Sequence, residues 1–293
     1  MPTQTFKLPY FDLLLKLLDK GHPEIDLAFG KHVHWGYWAD PGRALSTPGD
    51  FRQAAEQLTH EVYHAANVKD GQSILDVGCG FGGTIASLNE QFSQMMLTGV
   101  NIDARQLERA RQRVVARAEN TIDFIEGSAS QLPFPDQVFD VVLAVECIFH
   151  FPDRHQFFQE AYRVLKPSGK LALSDFVPID WLLPSDWFNS HWPGFYGNFD
   201  LRFTTRDYHK LASKVGFNRL FERDITVNTL PTYSFLWTLA QYLNLEDISV
   251  VPETFILEWM SRLDLLRYFI FSFEKPISVH PESDANLQPS QET

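Results

Sequence analysis

The residues best placed to do chemistry gather around one short segment, SILDVGCGFGG (73–83). Gly78, Gly80 and Gly83, with a further Gly82, follow the G-x-G-x-x-G pattern behind a short apolar run. Alone the pattern is weak, because dinucleotide-binding domains use it to bring a pyrophosphate to a helix N-terminus. Asp76, two residues ahead of Gly78, shifts the balance. A carboxylate at the mouth of the turn repels a pyrophosphate and attracts a cation carrying an ammonium and a sulfonium. That chemistry favours S-adenosylmethionine over a nicotinamide cofactor. The competing reading is a structural Asp that caps the turn. A second pair is His150, just past the apolar run 138–146, and Asp175, at the end of 170–176. A neutral imidazole oriented by a carboxylate is a general base held in one tautomer. Such a base removes the proton of a hydroxyl acceptor as it attacks a methyl group. The alternative is that His150 only packs beside Phe149 and Phe151 and shapes a pocket.

These residues need a rigid frame, and the hydrophobic pattern supplies one. Residues 8–20 and 50–67 carry apolar residues at helical spacing. Strand-like runs at 73–80, 96–102, 122–128, 138–146 and 170–176 alternate with helical patterns at 103–119 and 154–165. Lys166-Pro167-Ser168-Gly169 breaks the chain before the fifth run. A helix over 204–216 and late strands over 221–227 and 267–275 complete the series. Such alternation predicts an α/β fold: a Rossmann-like, mostly parallel sheet with helices on both faces. The expected organisation is a helical cap with an aromatic loop over 1–67 and a core domain over 68–276. The core would carry a lid at 178–203 and a helical insertion at 232–263, followed by a disordered tail, 277–293.

With these elements in place, the chain resembles the class I S-adenosylmethionine-dependent methyltransferases, in their small-molecule branch. The resemblance runs from about residue 60 to 230, through LDVGCGFGG (75–83), TGVNIDARQLERA (98–110), EGSASQLPFPDQVFDVV (126–142), ECIFHFPDR (146–154) and RVLKPSGKLALSDF (163–176). It implies a seven-stranded sheet whose last strand is antiparallel, with 267–275 inserted beside 221–227. It implies that Asp76, Gly78 and Gly80 hold the amino-acid part of S-adenosylmethionine. Asn101 and Ile102, with Gln106, would meet the ribose, although many relatives have Asp where Asn101 stands. Ser128 and Ala129 would meet the adenine, where relatives usually place an Asp. Glu146 faces the cleft in relatives. Relatives similar to sugar O-methyltransferases place a His and an Asp where His150 and Asp175 stand. Tocopherol-type relatives methylate ring carbon, and others methylate amines, with much the same motifs.

The loop KHVHWGYWADPG (31–42) and the segment 178–203 hold much of an aromatic content of 14%. Aromatic faces attract cations, so Tyr37 is expected over the sulfonium and His34 against the acceptor. Packing for the first helix is the alternative, and a zinc site from His32 and His34 is thinly supported. Trp187, Trp192, Phe195 and Tyr196 predict an apolar or aromatic acceptor pocket, because such a patch left open invites aggregation.

The 293 residues carry 25 Lys and Arg against 37 Asp and Glu, a net charge of −12, which disfavours nucleic acid as a partner. Two cysteines, Cys79 and Cys147, exclude a disulfide scaffold. No apolar run reaches membrane-spanning length and no signal peptide is evident, so a cytoplasmic protein is expected. The expected function is methyl transfer to a hydroxyl of a hydrophobic small molecule of specialised metabolism, with His150 as base and no metal. The alternatives are N- or C-methylation and, more remotely, a nicotinamide-dependent oxidoreductase or a non-catalytic cofactor-binding module.

Overall fold

The computed structural model describes residues 8–117, 119–180, 194–197, 200–242 and 250–277. The chain opens with α1 (Pro9–Asp19) and α2 (Pro23–Phe29), each begun by a proline where no backbone N–H is needed. α3 (Pro48–Ala65) is N-capped by the Thr47 hydroxyl, which accepts from the Asp50 N–H. Then follow β1 (Ser73–Val77), α4 (Gly83–Gln91), β2 (Met96–Asn101), α5 (Ala104–Arg113), β3 (Thr121–Glu126), β4 (Phe139–Val145), α6 (Arg154–Val164) and β5 (Leu165–Pro178). The last part holds α7 (Thr205–Val215), β6 (Asn218–Asp224), a short α8 (Thr226–Thr229), α9 (Pro231–Tyr242), α10 (Val250–Arg262) and β7 (Leu266–Glu274). Among the described residues no helix is long and apolar enough to cross a membrane.

The strands form a seven-stranded sheet in the order β3-β2-β1-β4-β5-β7-β6. β7 runs antiparallel to both β5 and β6, while the other pairs are parallel. The expected fold class holds, including the insertion of the final strand. β1 is buried along its whole length, as a central parallel strand covered on both faces must be. One face packs Ile74, Leu143, Ala172 and Ile270 against α3 and α4, through Leu58, Val62, Ile85 and Leu88. The other packs Leu75, Val142, Leu173 and Phe271 against α6 and α7. α1 and α2 form a smaller cluster of Phe11, Leu14, Leu18 and Ile25, closed by Phe81 from the glycine turn. The cap is therefore wedged onto that turn.

Three boundaries differ from the sequence pattern, one being the strand expected over 221–227, which runs as β6 over Asn218–Asp224 and gives way to α8 at Thr226. The helix expected over 103–119 ends at Arg113, because Asn89 of α4 captures the backbone beyond it. Its amide donates to the Val115 carbonyl at 3.0 Å and its oxygen accepts from the Arg117 N–H at 2.9 Å. The Lys-Pro-Ser-Gly breaker lies inside β5, which bends there with Ser168 at φ 63° and a register shift against β4.

Candidate active site

The glycine turn forms because the exits of β1 and β4 nearly touch. A Cβ on Gly78 would lie 2.7 Å from Cys147 Sγ, and Gly78 has φ +78°, so both space and backbone exclude a larger residue. The Cys147 thiol donates to the Val77 carbonyl at 3.0 Å, stitching the two exits together. Gly82, in the left-handed region, opens α4.

Asp76 points into this turn and is only 1% exposed. Burial pushes its pKa up to about 7, with a Thr84 hydrogen bond working against that. Among the described residues its Oδ2 has no hydrogen-bond partner. A buried carboxylate oxygen without a donor is costly, and an incoming ammonium removes that cost. The residues present thus fit the amino-acid end of S-adenosylmethionine, whereas a pyrophosphate would face a carboxylate.

At the exit of β2, the Asn101 amide donates to Gln106 Oε1 at 2.9 Å, and Gln106 is the side-chain atom nearest a Cβ built on Gly80. Asp103 instead caps α5, accepting from the Arg105 N–H at 2.9 Å. Ile102 is 52% exposed. Ser128 follows β3, beside the Gly127 N–H that donates to the Asn101 carbonyl at 3.0 Å, and its hydroxyl accepts from the Ser130 N–H. Ala129 is buried. Asp76, Gly78, Gly80, Asn101, Gln106, Ser128 and Ala129 therefore collect along neighbouring strand exits, where open α/β sheets bind ligands.

Glu146 joins this crevice to a second space. It follows β4 directly, with φ 49° in the left-handed region. Both carboxylate oxygens accept from the Trp35 N–H, at 3.1 and 3.0 Å, and Oε2 also accepts from the Tyr268 hydroxyl. Burial raises its pKa to about 8; the Tyr268 and Trp35 bonds oppose the rise. Beyond Glu146 lies a partly open cavity of about 1170 Å³, the solvent at its mouth included. Its walls come from α1 (Leu13, Leu14, Leu17), α9 (Leu236, Leu239) and Leu257 of α10, with Trp35, Phe149 and Phe176. The polar groups that reach it include Tyr10, His34, Glu146, His150, Tyr196 and Thr232. No Lys or Arg is among the described lining residues. Phe195 and Tyr196 line it as the aromatic content suggests, whereas Trp187 and Trp192 lie outside the described residues.

His150 sits in a short 3-10 turn beyond β4, 9% exposed, and lines the cavity. Its Nε2 lies 3.2 Å from the Tyr10 hydroxyl of α1. The expected pairing with Asp175 is not formed. Asp175 Oδ2 accepts from Arg154 Nη1 at 2.6 Å and from the Tyr208 hydroxyl, on the sheet face covered by α6 and α7. Strand alternation explains the correction: Ser174 and Phe176 of β5 point toward Tyr268 and the cavity, so Asp175 between them points away. Burial lifts Asp175 to about pKa 6, with the Arg154 charge holding it down.

The aromatic loop also departs from expectation. The Tyr37 N–H donates to the Ala54 carbonyl at 2.8 Å, and its ring lies under Arg223 of β6, 5.5 Å from the guanidinium. β6 is the sheet edge farthest from β2 and β3, so Tyr37 does not reach the cofactor crevice. Trp35 of the same aromatic loop takes the central place, its N–H donating to both Glu146 carboxylate oxygens. His34 lines the cavity with both nitrogens engaged. Its Nδ1 must donate to the Trp35 carbonyl (2.9 Å), so Nε2 accepts from Thr59 (2.9 Å) and lies 3.1 Å from His32 Nδ1. Burial drives the His34 pKa down to about 3, so the ring stays neutral. His32 in turn meets Glu56 at 2.8 Å. This network anchors the loop that presents the Trp35 N–H. Its local signal is only two histidines two apart, and the Thr59 and Glu56 partners come from α3, far along the chain.

Fold and crevice together define a Rossmann-like protein with a buried carboxyl at its glycine turn and a largely apolar cavity beside it. A methyltransferase domain model matches residues 75–173. The methyltransferase GfsG of Streptomyces halstedii is 34% identical over 217 residues, 73% of this chain and 76% of that protein. The 27-O-demethylrifamycin SV methyltransferase of Amycolatopsis mediterranei is 36% identical over 156 residues, 53% of this chain and 55% of that one. Other relatives are named as N- and C-methyltransferases. Among solved structures, the [4+2]-cyclase SpnF superposes with a TM-score of 0.71 at 25% identity, covering 92% of this chain and 95% of its own. The chain belongs to the class I S-adenosylmethionine-dependent small-molecule methyltransferases.

Proposed function

We propose that this chain moves a methyl group from S-adenosylmethionine to a hydroxyl of an uncharged, largely apolar small molecule, with His150 as the general base. The observation that carries the reading is the apolar cavity with His150 on its wall, joined to the Asp76 crevice through Glu146-Cys147. The bound donor supplies a methyl group already activated by sulfonium. Asp76 takes the donor's ammonium, Asn101 and Gln106 the ribose, and Ser128 with Ala129 the adenine. The cavity desolvates and orients the acceptor, and positioning supplies much of the rate in an in-line displacement. A phosphate or carboxylate on the acceptor would meet no cationic side chain among the described lining residues. Incubation with methyl-labelled donor and a panel of phenols, sugars, amines and carboxylates, followed by mapping of the label, tests the reading. Label on oxygen of a neutral acceptor supports it, and label only on the carboxylates refutes it.

A second reading has one specific support. Glu146 is a half-buried carboxyl lining the cavity with a pKa near 8. Such a group can take a proton from a carbon or nitrogen centre after methylation. In that case label appears on carbon or nitrogen, and Glu146→Gln stops turnover while His150→Ala does not.

A further inference from the structure

The cap contributes a group to the chemistry. Tyr10 is the second residue of α1, and both its hydroxyl and His150 border the cavity. The O–Nε2 separation is 3.2 Å and the rings are nearly parallel, 22° apart with centroids at 6.0 Å. Among the described residues no other acceptor meets the Tyr10 hydroxyl. The phenol keeps its proton: desolvation raises the Tyr10 pKa well above 10, and the nearby Glu146 charge adds to that. The pair is part-buried, and with His150 as the acceptor met among the described residues, Tyr10 donates and His150 Nε2 accepts. Neutral His150 then carries its own proton on Nδ1. The lone pair required of a base is therefore reached through the Tyr10 oxygen. That oxygen keeps lone pairs with which to accept a proton from the cavity side.

We propose that Tyr10 relays the acceptor's proton to His150. This rests on the reading of His150 as the base of hydroxyl methylation. As the acceptor oxygen bonds to the methyl carbon, the carbon–sulfur bond breaks and its electron pair stays on sulfur. The acceptor's O–H proton passes to the Tyr10 oxygen while the original Tyr10 proton passes to Nε2. The products are a methyl ether, a neutral thioether and an imidazolium, and reversal of the relay to water restores the pair. The base is thus divided between two parts of the fold. His150 is fixed by the 3-10 turn after β4, and its N–H donates to the Cys147 carbonyl at 3.0 Å. Tyr10 is fixed by α1, where its own N–H donates to the Phe195 carbonyl at 3.1 Å. The relay exists only when α1 and the 194–197 segment are seated together.

The test is Tyr10→Phe, which keeps the ring and removes one oxygen. In the donor-free protein carrying ¹⁵N-imidazole histidine, long-range ¹H–¹⁵N spectra report the tautomer, with His150→Gln assigning the signal. The wild type should show His150 protonated on Nδ1 at high pH, and Tyr10→Phe should move it toward the Nε2-protonated form. With the hydroxyl acceptor returned by the labelled panel, Tyr10→Phe should lower kcat about 10- to 100-fold with KM within a few-fold. The double variant Tyr10→Phe/His150→Ala should be no slower than His150→Ala alone. An unchanged His150 tautomer in Tyr10→Phe overturns the relay, as does full turnover of Tyr10→Phe where His150→Ala is slow. Full turnover of His150→Ala instead removes the base reading itself, so the two failures are told apart.

Discussion

At the scale of single residues, the site is a set of carboxyls held in environments that suit a protonated form until a cation arrives. Asp76, with its pKa near 7, is the clearest case. Binding a donor ammonium beside it should expel its proton. Calorimetry of S-adenosylhomocysteine binding near pH 6, in buffers of different ionisation enthalpy, should show net proton release. Asp76→Asn should abolish that release and weaken binding at least tenfold; release that persists would assign the proton elsewhere. Glu146 makes a second prediction. Its folded pKa lies above the unfolded value, so its contribution to stability is complete below about pH 4 and is lost as pH rises through about 8. Glu146→Gln does not titrate and should gain in Tm relative to the wild type, by about a few degrees, between pH 6 and pH 9. The turn itself was legible because glycines at this spacing behind an apolar run mark a strand-to-helix turn, which Gly78, Gly80 and Gly82 form with positive φ. Tyr37 and Asp175 were misplaced because side-chain direction depends on strand parity and loop path, neither of which residue type encodes.

At the scale of elements, the misplaced Asp175 has a definite structural use. Arg154 at the start of α6 bridges Asp175 of β5, the Tyr208 hydroxyl of α7 and the Asp200 carbonyl, all inside the protein. Removing one partner of a buried pair strands the other charge. Arg154→Ala should therefore cost about 3–5 kcal/mol in denaturant unfolding. Arg154→Met/Asp175→Leu should recover most of that loss, whereas a catalytic Asp175 would leave the double variant folded but inactive. The element boundaries show what the sequence could carry. Apolar period located the strands and helices of the sheet, since each buries a repeating face. It could not stop α5 at Arg113, because the stop is made by Asn89 from a different helix. The role of α1 was equally hidden. Its leucines mark a buried face, but only the folded chain shows that Leu13, Leu14 and Leu17 roof a cavity and that Tyr10 reaches His150.

At the scale of the whole molecule, charge and cavity act in the same direction. The chain carries −12 overall, and its described cavity lining offers carboxyl, phenol and imidazole but no ammonium or guanidinium. An anion entering would be desolvated without a counter-charge, at a cost of several kcal/mol. Geraniol and geranyl diphosphate share an apolar tail and differ in charge. Tryptophan fluorescence titration should show saturable binding of the alcohol and at least 100-fold weaker binding of the diphosphate. Equal binding would place a cationic contact that the lining does not contain.

The late insertion of β7 has a consequence for how the protein is made. β6 pairs with β7 alone, and β5 gains its second neighbour only from β7. While residues 266–274 are still inside the ribosome, both strands therefore present open backbone edges, which template pairing with other chains. Both edges are covered only once residues 266–274 have emerged and paired with β5 and β6. A nascent chain stalled shortly before that point is the species most exposed to aggregation and most in need of a chaperone.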